Sequence, residues 1–468
     1  MKNVKLNMTE GPVFFKLLKF SIPLIFSNLL QLLFNAADVI VVGRFAGDNS
    51  LAAVGSTTSL INLLVNLFVG LSIGCNVVTA NYFGAKEQSA KQLSSNDKLC
   101  RNQKKDLNDC IHTSILLSIY GGIFLTIIGI VFSKPLLILM QAPKEVLNLA
   151  TVYLRIYFSG VTASVVYNFG AAILRAKGDT KRPLYILFSA GIINVILNLV
   201  FVIFAKMDVK GVALATVISQ IISAVSVIFL LLNEEEDFRL DLKKLAINRT
   251  ILIKIIKIGV PAGFQGIIFS LSNVVIQSSV NTFGATIIAA NSAAQSIEGF
   301  VYTAMNGFSQ GTLTFTSQNM GARKKDRVIR VTWISQITVF ATGLILGFSV
   351  IVFGKELLGI YSNSQSVIQI GLSRLKIICA TYAVCGLMDC MANTIRGIGY
   401  STVPMLITLI GACGTRILWL ATIFQMQKFH TLSCIYLSYP LSWFITYVSL
   451  ILALKIVTKK AFLNFANK

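Results

Sequence analysis

Four ionisable residues lie inside long apolar stretches of this 468-residue sequence: Asp38, Glu298, Asp389 and Arg416. A charge at the centre of a bilayer costs roughly 2.5–3.5 kcal/mol on insertion scales, so such residues normally face a cavity or a partner. They therefore mark the paths of ions or substrates. We expect the chemistry of this protein to depend on these four side chains.

Asp38 lies near the outer end of the first apolar stretch, shortly before Gly43. Two interpretations are open: an interfacial acid that extends outward, or a carboxylate at the outer end of a cavity that exchanges a proton or a sodium ion. Burial of the carboxyl would disfavour its charged form. Asp38 is thus a candidate coupling residue.

Asn194 and Asn198 are four residues apart, which places them on one helix face. Together with Thr216 and Asp38 they could supply oxygens to sodium or hydrogen bonds around a proton. Paired asparagines in membrane helices also hold helices together. The spacing alone leaves both interpretations open.

Glu298 and Arg416 lie near the middle of their stretches, and Asp389 lies toward the inner end of its own. They either form a structural ion pair, with Arg416 bonded to Glu298 or Asp389, or serve a substrate. In the second case Glu298 is the counter-ion of a cationic substrate, and Arg416 sets the pKa of Glu298. We assign all three to a substrate cavity, with Asn35 and Asn168.

The composition identifies the elements that must position these residues. The chain is 55% hydrophobic and 13% charged, with a mean hydropathy of +0.74, whereas soluble domains are about 45–50% apolar and about 25% charged. A transmembrane helix needs about 20 apolar residues. We predict an all-α polytopic membrane protein with twelve spans at about 20–42, 55–80, 111–133, 149–172, 184–205, 211–232, 252–282, 287–317, 330–353, 366–393, 404–426 and 430–456.

The sequence repeats itself. Ile22-Pro23 through Phe45 resembles Val260-Pro261 through Phe283, and later Arg175 to Gly178 resembles Arg396 to Gly399. An even number of helices per repeat gives two parallel, pseudosymmetric six-helix lobes around a central cavity. The predicted divisions are an N-lobe at 1–237 with a polar cytoplasmic insertion near 88–109, a cytoplasmic linker at 238–250, and a C-lobe at 251–468.

The net charge of +22 is explained by the orientation of the chain in the membrane rather than by binding to an acidic partner. If both termini are cytoplasmic, about 30 of the 41 Lys and Arg residues lie on that side and about ten on the other. Cytoplasmic segments of membrane proteins carry such an excess. We predict a multi-pass protein of the inner cell membrane with cytoplasmic termini, and no nucleic-acid binding.

Other chemistries lack the residues that they need. The eight cysteines include no C-x-x-C pair, and His112 and His430 lie far apart, which argues against zinc and redox sites. The sequence contains no G-x-x-x-x-G-K-[ST] nucleotide motif. We expect no cofactor, no nucleotide and no metal other than sodium at Asp38, and we do not expect an enzyme.

Several motifs, taken together, resemble the multidrug and toxic compound extrusion (MATE) transporters, and most of all their bacterial DinF-like branch. The resemblance covers essentially the whole chain. Its motifs are Met8-Thr-Glu-Gly-Pro12, Gln31-Leu-Leu-Phe-Asn35-Ala-Ala-Asp38, Val42-Gly-Arg-Phe-Ala-Gly47, Leu51-Ala-Ala-Val-Gly55 and Leu174-Arg-Ala-Lys-Gly-Asp179-Thr-Lys-Arg-Pro183.

The resemblance implies a two-lobed transporter that exports organic cations in exchange for inward protons or sodium. Asp38 occupies the position of the coupling carboxylate, and Asn194 and Thr216 match the family's N-lobe cation site. Asn198 stands where that site has an aspartate. In the C-lobe, where the NorM-like branch has an acidic pair, Gln265 is neutral and Asp389 lies about one turn from the expected position.

We therefore predict a secondary active antiporter for amphipathic, cationic drugs or toxins that works by alternating access, as a monomer in the lipid bilayer. One alternative is a flippase for lipid-linked oligosaccharides of the same superfamily. Such flippases hold pyrophosphate with several basic residues in the cavity. A membrane-embedded transferase is the remaining alternative, and it would need a cluster of acids, bases or metal ligands.

Overall fold

The computed structural model describes residues 6–92, 98–140, 143–235 and 238–466, which form helices and, within these ranges, no β-strand. The first half contains α1 (Val13–Phe45), α2 (Asp48–Gln92), α3 (Lys98–Leu139), α4 (Lys144–Lys177), α5 (Lys181–Leu199) and α6 (Asp208–Leu232). The second half contains α7 (Arg249–Asn281), α8 (Ala285–Gly321), α9 (Lys325–Val352), α10 (Gly354–Tyr361), α11 (Gln365–Ile398), α12 (Thr402–Thr408), α13 (Thr415–Ala421) and α14 (Leu432–Ala466).

Among the described residues, 11 helices are long and apolar enough to cross a membrane. The twelfth predicted span corresponds to α8, which has 37 residues and a more polar composition, including Asn291, Gln295 and Glu298. The predicted all-α membrane fold is confirmed. Several helices are longer than their apolar stretches because polar residues extend their ends.

The polar insertion predicted near 88–109 is partly helical. α2 continues to Gln92 and α3 begins at Lys98, so both helices extend into this region. Residues 93–97 of the predicted insertion lie outside the described residues.

The chain divides into two compact units. The first unit contains residues 1–7 and 26–263, and the second contains residues 8–25 and 264–468. This division differs from the predicted lobes, because the first part of α1 belongs to the second unit and the first part of α7 to the first. Within α1 and α7 the change of unit occurs two residues after a helix-internal proline, Pro23 or Pro261, where the helix loses a backbone hydrogen bond.

In the first unit α4 is the central helix and packs against α2, α3 and α6. The first part of α7 packs closely on α2 through glycines. A Cβ atom on Gly70 would lie 2.2 Å from the backbone nitrogen of Gly263. Only residues without a side chain allow this approach of two helix backbones.

In the second unit α11 is the central helix and packs against α8, α9 and α14. The first part of α1 packs on α8, where the rings of Phe20 and Phe315 meet edge to face at 5.8 Å. A Cβ atom on Gly307 of α8 would lie 2.4 Å from Ile25. The first part of α1 is therefore tightly packed within this unit.

The two central helices end alike, as the sequence repeat predicts. Gly178 after α4 has φ +100° and Gly399 after α11 has φ +109°. Gly178 N–H donates to the Arg175 carbonyl and the next amide to Leu174, and the same pair of bonds follows α11. This is the glycine-terminated helix end in which left-handed backbone satisfies the last carbonyls.

Two short π-helical segments interrupt the α-helical hydrogen-bonding pattern of the membrane spans. Val200–Phe204 continues α5, and Leu409–Gly414 joins α12 to α13. Such segments occur often at functional sites. Here they lie next in sequence to Asn198 and close to Arg416, two of the predicted site residues.

Candidate functional site

The first unit brings four of the predicted residues together. The Asn198 amide donates to Oδ1 of Asp38 at 2.5 Å and to Oδ1 of Asn194 at 3.3 Å. The Asn194 amide in turn donates to the Thr216 hydroxyl at 3.5 Å. Helices α1, α5 and α6 thus contribute to one chain of polar groups that ends on a single carboxyl.

Close packing of α5 on α1 explains how these side chains meet. An added Cβ atom on Gly191 would lie 1.8 Å from the ring of Phe34. Phe34 is one turn before Asp38, and Gly191 is about one turn before Asn194. The small residue therefore lets the two polar helix faces approach each other.

The environment of this carboxyl is largely closed. Asn194 and Asn198 are buried, while Asp38 is half-buried. Tyr153 and Tyr157 of α4, whose rings stack at 6.3 Å, lie close enough to interact electrostatically with Asp38. No cationic side chain forms an ion pair with Asp38 within the described ranges.

One acceptor in this network is unused. Oδ1 of Asn198 is buried and, among the described residues, has no hydrogen-bond partner. A buried amide oxygen without a partner is costly. It can accept a hydrogen bond from the hydroxyl of a neutral carboxyl group or contribute to the coordination of a small cation.

In the second unit, Glu298 of α8 forms an ion pair with Arg374 of α11, not with Arg416. Arg374 Nε donates to Oε1 and Nη2 to Oε2 of Glu298, both at 2.8 Å. Its third nitrogen, Nη1, donates to the Asn291 side chain at 2.6 Å. Arg374 is only 2% exposed and Glu298 only 5% exposed.

This pair was not among the alternatives that the sequence offered. Arg374 is not one of the four ionisable residues predicted to lie deep in the apolar stretches, yet it is buried on α11, nine residues after Gln365. A distance of about 13 Å along the helix, at 1.5 Å per residue, takes the side chain well past the helix end. Its position inside the apolar stretch at 366–393 was the signal that could have identified it.

Arg416 of α13 has a different environment. Its Nε donates to the Ser442 hydroxyl of α14 at 2.9 Å, and its guanidinium carbon lies 4.3 Å from the ring centroid of Tyr439. Trp443 is 5.8 Å away on the same helix. Within the described ranges no carboxylate forms an ion pair with it, so of the two alternatives left open by the sequence, the bond of Arg416 to Glu298 or Asp389 is not formed in this structure.

Asp389 of α11 accepts hydrogen bonds from the Asn306 amide and the Tyr302 hydroxyl of α8, each at 3.3 Å. The two remaining predicted cavity residues lie in the first unit. Asn35 is exposed on α1, and Asn168 is half-buried on α4, where its amide donates to the Ser164 carbonyl at 2.9 Å. The predicted cavity residues are thus divided between the units, with Asn35 and Asn168 in the first and Glu298, Asp389 and Arg416 in the second.

Metal and thiol chemistry find no support in the described part of the chain. No group of three His, Cys, Asp or Glu side chains there has the geometry of a metal site. The described cysteines are buried and form no disulfide bond with one another. The site of the first unit is thus a single carboxyl among neutral donors and acceptors, which suits reversible binding of one small cation.

Known proteins resemble this chain throughout its length. The family model MatE matches residues 23–96, 97–200 and 261–422. The Bacillus subtilis protein named probable multidrug resistance protein YoeA is 26% identical over 405 residues, covering 85% of this chain and 84% of that protein. The Thermotoga maritima protein named probable multidrug resistance protein NorM is 24% identical over 424 residues, covering 89% and 86% respectively.

A solved structure shows the same fold. The crystal structure described as MATE in complex with MaL6 superimposes with a TM-score of 0.86 at 21% identity, covering 98% of this chain and 99% of that chain. The family match extends over more than half of the residues and includes α5 and α11 in full, and α1 and α7 from Pro23 and Pro261 onward. This chain belongs to the MATE family of multi-pass membrane transporters.

Proposed function

We propose that this protein is a secondary active antiporter that exports amphipathic organic cations in exchange for inward protons, with sodium as the alternative coupling ion. Relatives that are named multidrug resistance proteins support the export of drugs. The observation that supports ion coupling at this site is the hydrogen bond from the Asn198 amide to the Asp38 carboxyl.

The hydrogen bonds suggest how a proton would act on this site. While Asp38 is a carboxylate, it accepts from the Asn198 amide. Once protonated, its hydroxyl becomes a donor and needs an acceptor, and Oδ1 of Asn198 is the unused buried one. Rotation of that amide would break its bond to Asn194, so protonation would alter contacts of α1 with α5 and then with α6.

Proton coupling is favoured over sodium by the donor set. Sodium binding prefers carboxylate and carbonyl oxygens, and this site has one carboxylate with an amide at position 198. The amide directs its NH₂ group, not its oxygen, at Asp38. A cation at that point would meet hydrogen atoms unless the amide turned.

The test is efflux of ethidium from proteoliposomes driven separately by a pH gradient and by a sodium gradient. We expect the pH gradient alone to drive efflux, and Asp38→Asn to abolish that stimulation while leaving the folded protein intact. Asp326→Asn, at an exposed position in the first turn of α9, is the matched control. Full coupled efflux by Asp38→Asn would overturn the assignment of Asp38.

The flippase and transferase alternatives are less well supported. The relatives with matching sequences carry multidrug names, and the buried Arg374 that would add to a pyrophosphate site is neutralised by Glu298. Failure of gradient-driven efflux, together with complementation of a flippase-deficient strain, would favour the flippase instead.

We further propose that the protein acts as a monomer in the inner cell membrane with both termini in the cytoplasm. The excess of basic residues in the segments on the side of the termini supports this orientation. Single cysteines introduced at the two termini should react with a membrane-impermeant maleimide only after the cell membrane is permeabilised. Labelling of intact cells would contradict the proposed orientation.

A further inference from the structure

The second unit contains a buried positive charge that its neighbours do not balance. Arg416 is 2% exposed, and guanidinium remains protonated at any physiological pH. A buried charge without a counter-ion is strongly destabilising. The rings of Tyr439 and Trp443 compensate for part of that cost through cation–π contacts.

The acids of this unit are engaged elsewhere. Glu298 is held by both nitrogens of a bidentate contact with Arg374. Asp389 accepts hydrogen bonds from Tyr302 and Asn306 of α8. The cation that interacts with it electrostatically is Arg396. Two guanidinium groups lie near the Tyr439 ring, Arg374 at 5.6 Å and Arg416 at 4.3 Å from its centroid, and among the described residues only Arg374 has a carboxylate partner, Glu298.

Arg416 is held in place and still has unused donors. Its Nε is fixed by the Ser442 hydroxyl, which itself donates to the Tyr439 carbonyl. The two terminal NH₂ groups have no acceptor within the described ranges. A fixed planar fork of this kind matches a carboxylate, which accepts two parallel hydrogen bonds.

The side chains around Arg416 are aromatic and indicate what kind of molecule would carry the carboxylate. Tyr382, Tyr439 and Trp443 form an aromatic cluster beside the guanidinium, with ring centroids 5.4 and 5.7 Å from that of Trp443. The π-helical segment Leu409–Gly414 precedes Arg416, and it brings Gly411 against Thr446 of α14. Helices α11, α13 and α14 thus combine one cation with three aromatic rings.

We infer that Arg416, Ser442 and the Tyr382, Tyr439 and Trp443 cluster form a binding site for the carboxylate of an aromatic compound. The inference rests on the proposed function, because it adds a class of transported compound: amphipathic molecules whose charged group is an aryl carboxylate. The carboxylate supplies the missing counter-ion, and the aromatic part packs against the rings.

The experiment measures binding of 2-naphthoate to the purified full-length protein in detergent by equilibrium dialysis, with the neutral 2-naphthalenemethanol as reference. We expect 2-naphthoate to bind at least tenfold more tightly than the alcohol. Arg416→Met should abolish that preference. Arg155→Met, at an exposed position of α4, should retain it.

Two milder variants keep the test decisive if Arg416→Met does not fold. Arg416→Lys retains the charge but loses the fork, and Ser442→Ala releases Nε, so each should weaken 2-naphthoate binding several-fold without affecting the alcohol. Unchanged 2-naphthoate affinity in both variants would overturn the inference. Displacement of 2-naphthoate by an equal concentration of sodium chloride would overturn it too, by assigning the site to inorganic anions.

Ethidium, which has no carboxylate, separates this inference from the proposed function. If Asp38→Asn stays fully coupled but 2-naphthoate binding still depends on Arg416, the proposed function fails and the anion site stands. If Asp38→Asn is uncoupled and 2-naphthoate binding is independent of Arg416, the anion site fails alone.

Discussion

Replacement of Arg374 by methionine would leave Glu298 buried without its counter-ion. The side chain makes two hydrogen bonds of 2.8 Å to Glu298 and one of 2.6 Å to Asn291. Loss of one partner of a buried ion pair costs about 3–5 kcal/mol of folding free energy. We expect Arg374→Met to destabilise the protein by about that amount, and Glu298→Gln to do nearly the same.

The double variant Arg374→Met/Glu298→Gln should be much less affected. Removal of both charges also removes the need to bury them, and replacement of a whole buried pair is often close to neutral. The Asn291 oxygen still loses its donor, which costs about 1–3 kcal/mol. The double variant should therefore lose about 1–3 kcal/mol, against about 6–10 kcal/mol if the two single effects were additive.

The measurement is equilibrium unfolding in mixed micelles with an increasing fraction of sodium dodecyl sulfate, followed by tryptophan fluorescence. Lys376→Met, at an exposed position two residues along α11, controls for loss of a cation and should change stability little. If the double variant is as unstable as the sum of the singles, Arg374 and Glu298 are not coupled and the reasoning fails.

Three further substitutions test other contacts. Gly70→Ala should lower unfolding free energy by about 1–3 kcal/mol, because the methyl group collides with the α7 backbone; Gly55→Ala, with open space around it, is the control, and equal stability would refute the close crossing. Gly399→Ala should cost about 1–2 kcal/mol in the same assay, since φ +109° is unfavourable for alanine, and a stable variant would argue against the helix-end geometry. Asn198→Asp places a second carboxylate beside Asp38 and should make ethidium efflux respond to a sodium gradient at constant pH; an unchanged sodium response would count against this site as the place of coupling.

The polar contact at Asp38 could be predicted because it depends on local spacing and helix neighbours. Asn194 and Asn198 share a face by their separation of four residues, and α5 and α6 are joined by a short turn that keeps Thr216 close. The sequence also indicates where an apolar stretch contains a charge, which identified Asp38, Glu298 and Arg416.

The partner of Glu298 could not be predicted in the same way. Whether Arg374 or Arg416 faces Glu298 depends on the rotation of α8, α11 and α13 about their axes, and each cation lies more than 70 residues away along the chain. Hydropathy locates helices but contains no information on those rotations. The same limit applies to α1 and α7. Pro23 and Pro261 predict a lost backbone hydrogen bond in each helix, but they do not predict the compact unit to which each part of the helix belongs.

The assignment of residues 8–25 to the second compact unit has a consequence for biosynthesis. Phe20 packs against Phe315, yet the ribosome must add nearly 300 residues between them. At about 5–20 residues per second, this takes roughly 15–60 seconds. During that time the apolar start of α1 is in the membrane without its final neighbours, so lipid or the insertion machinery must cover it until α8 arrives.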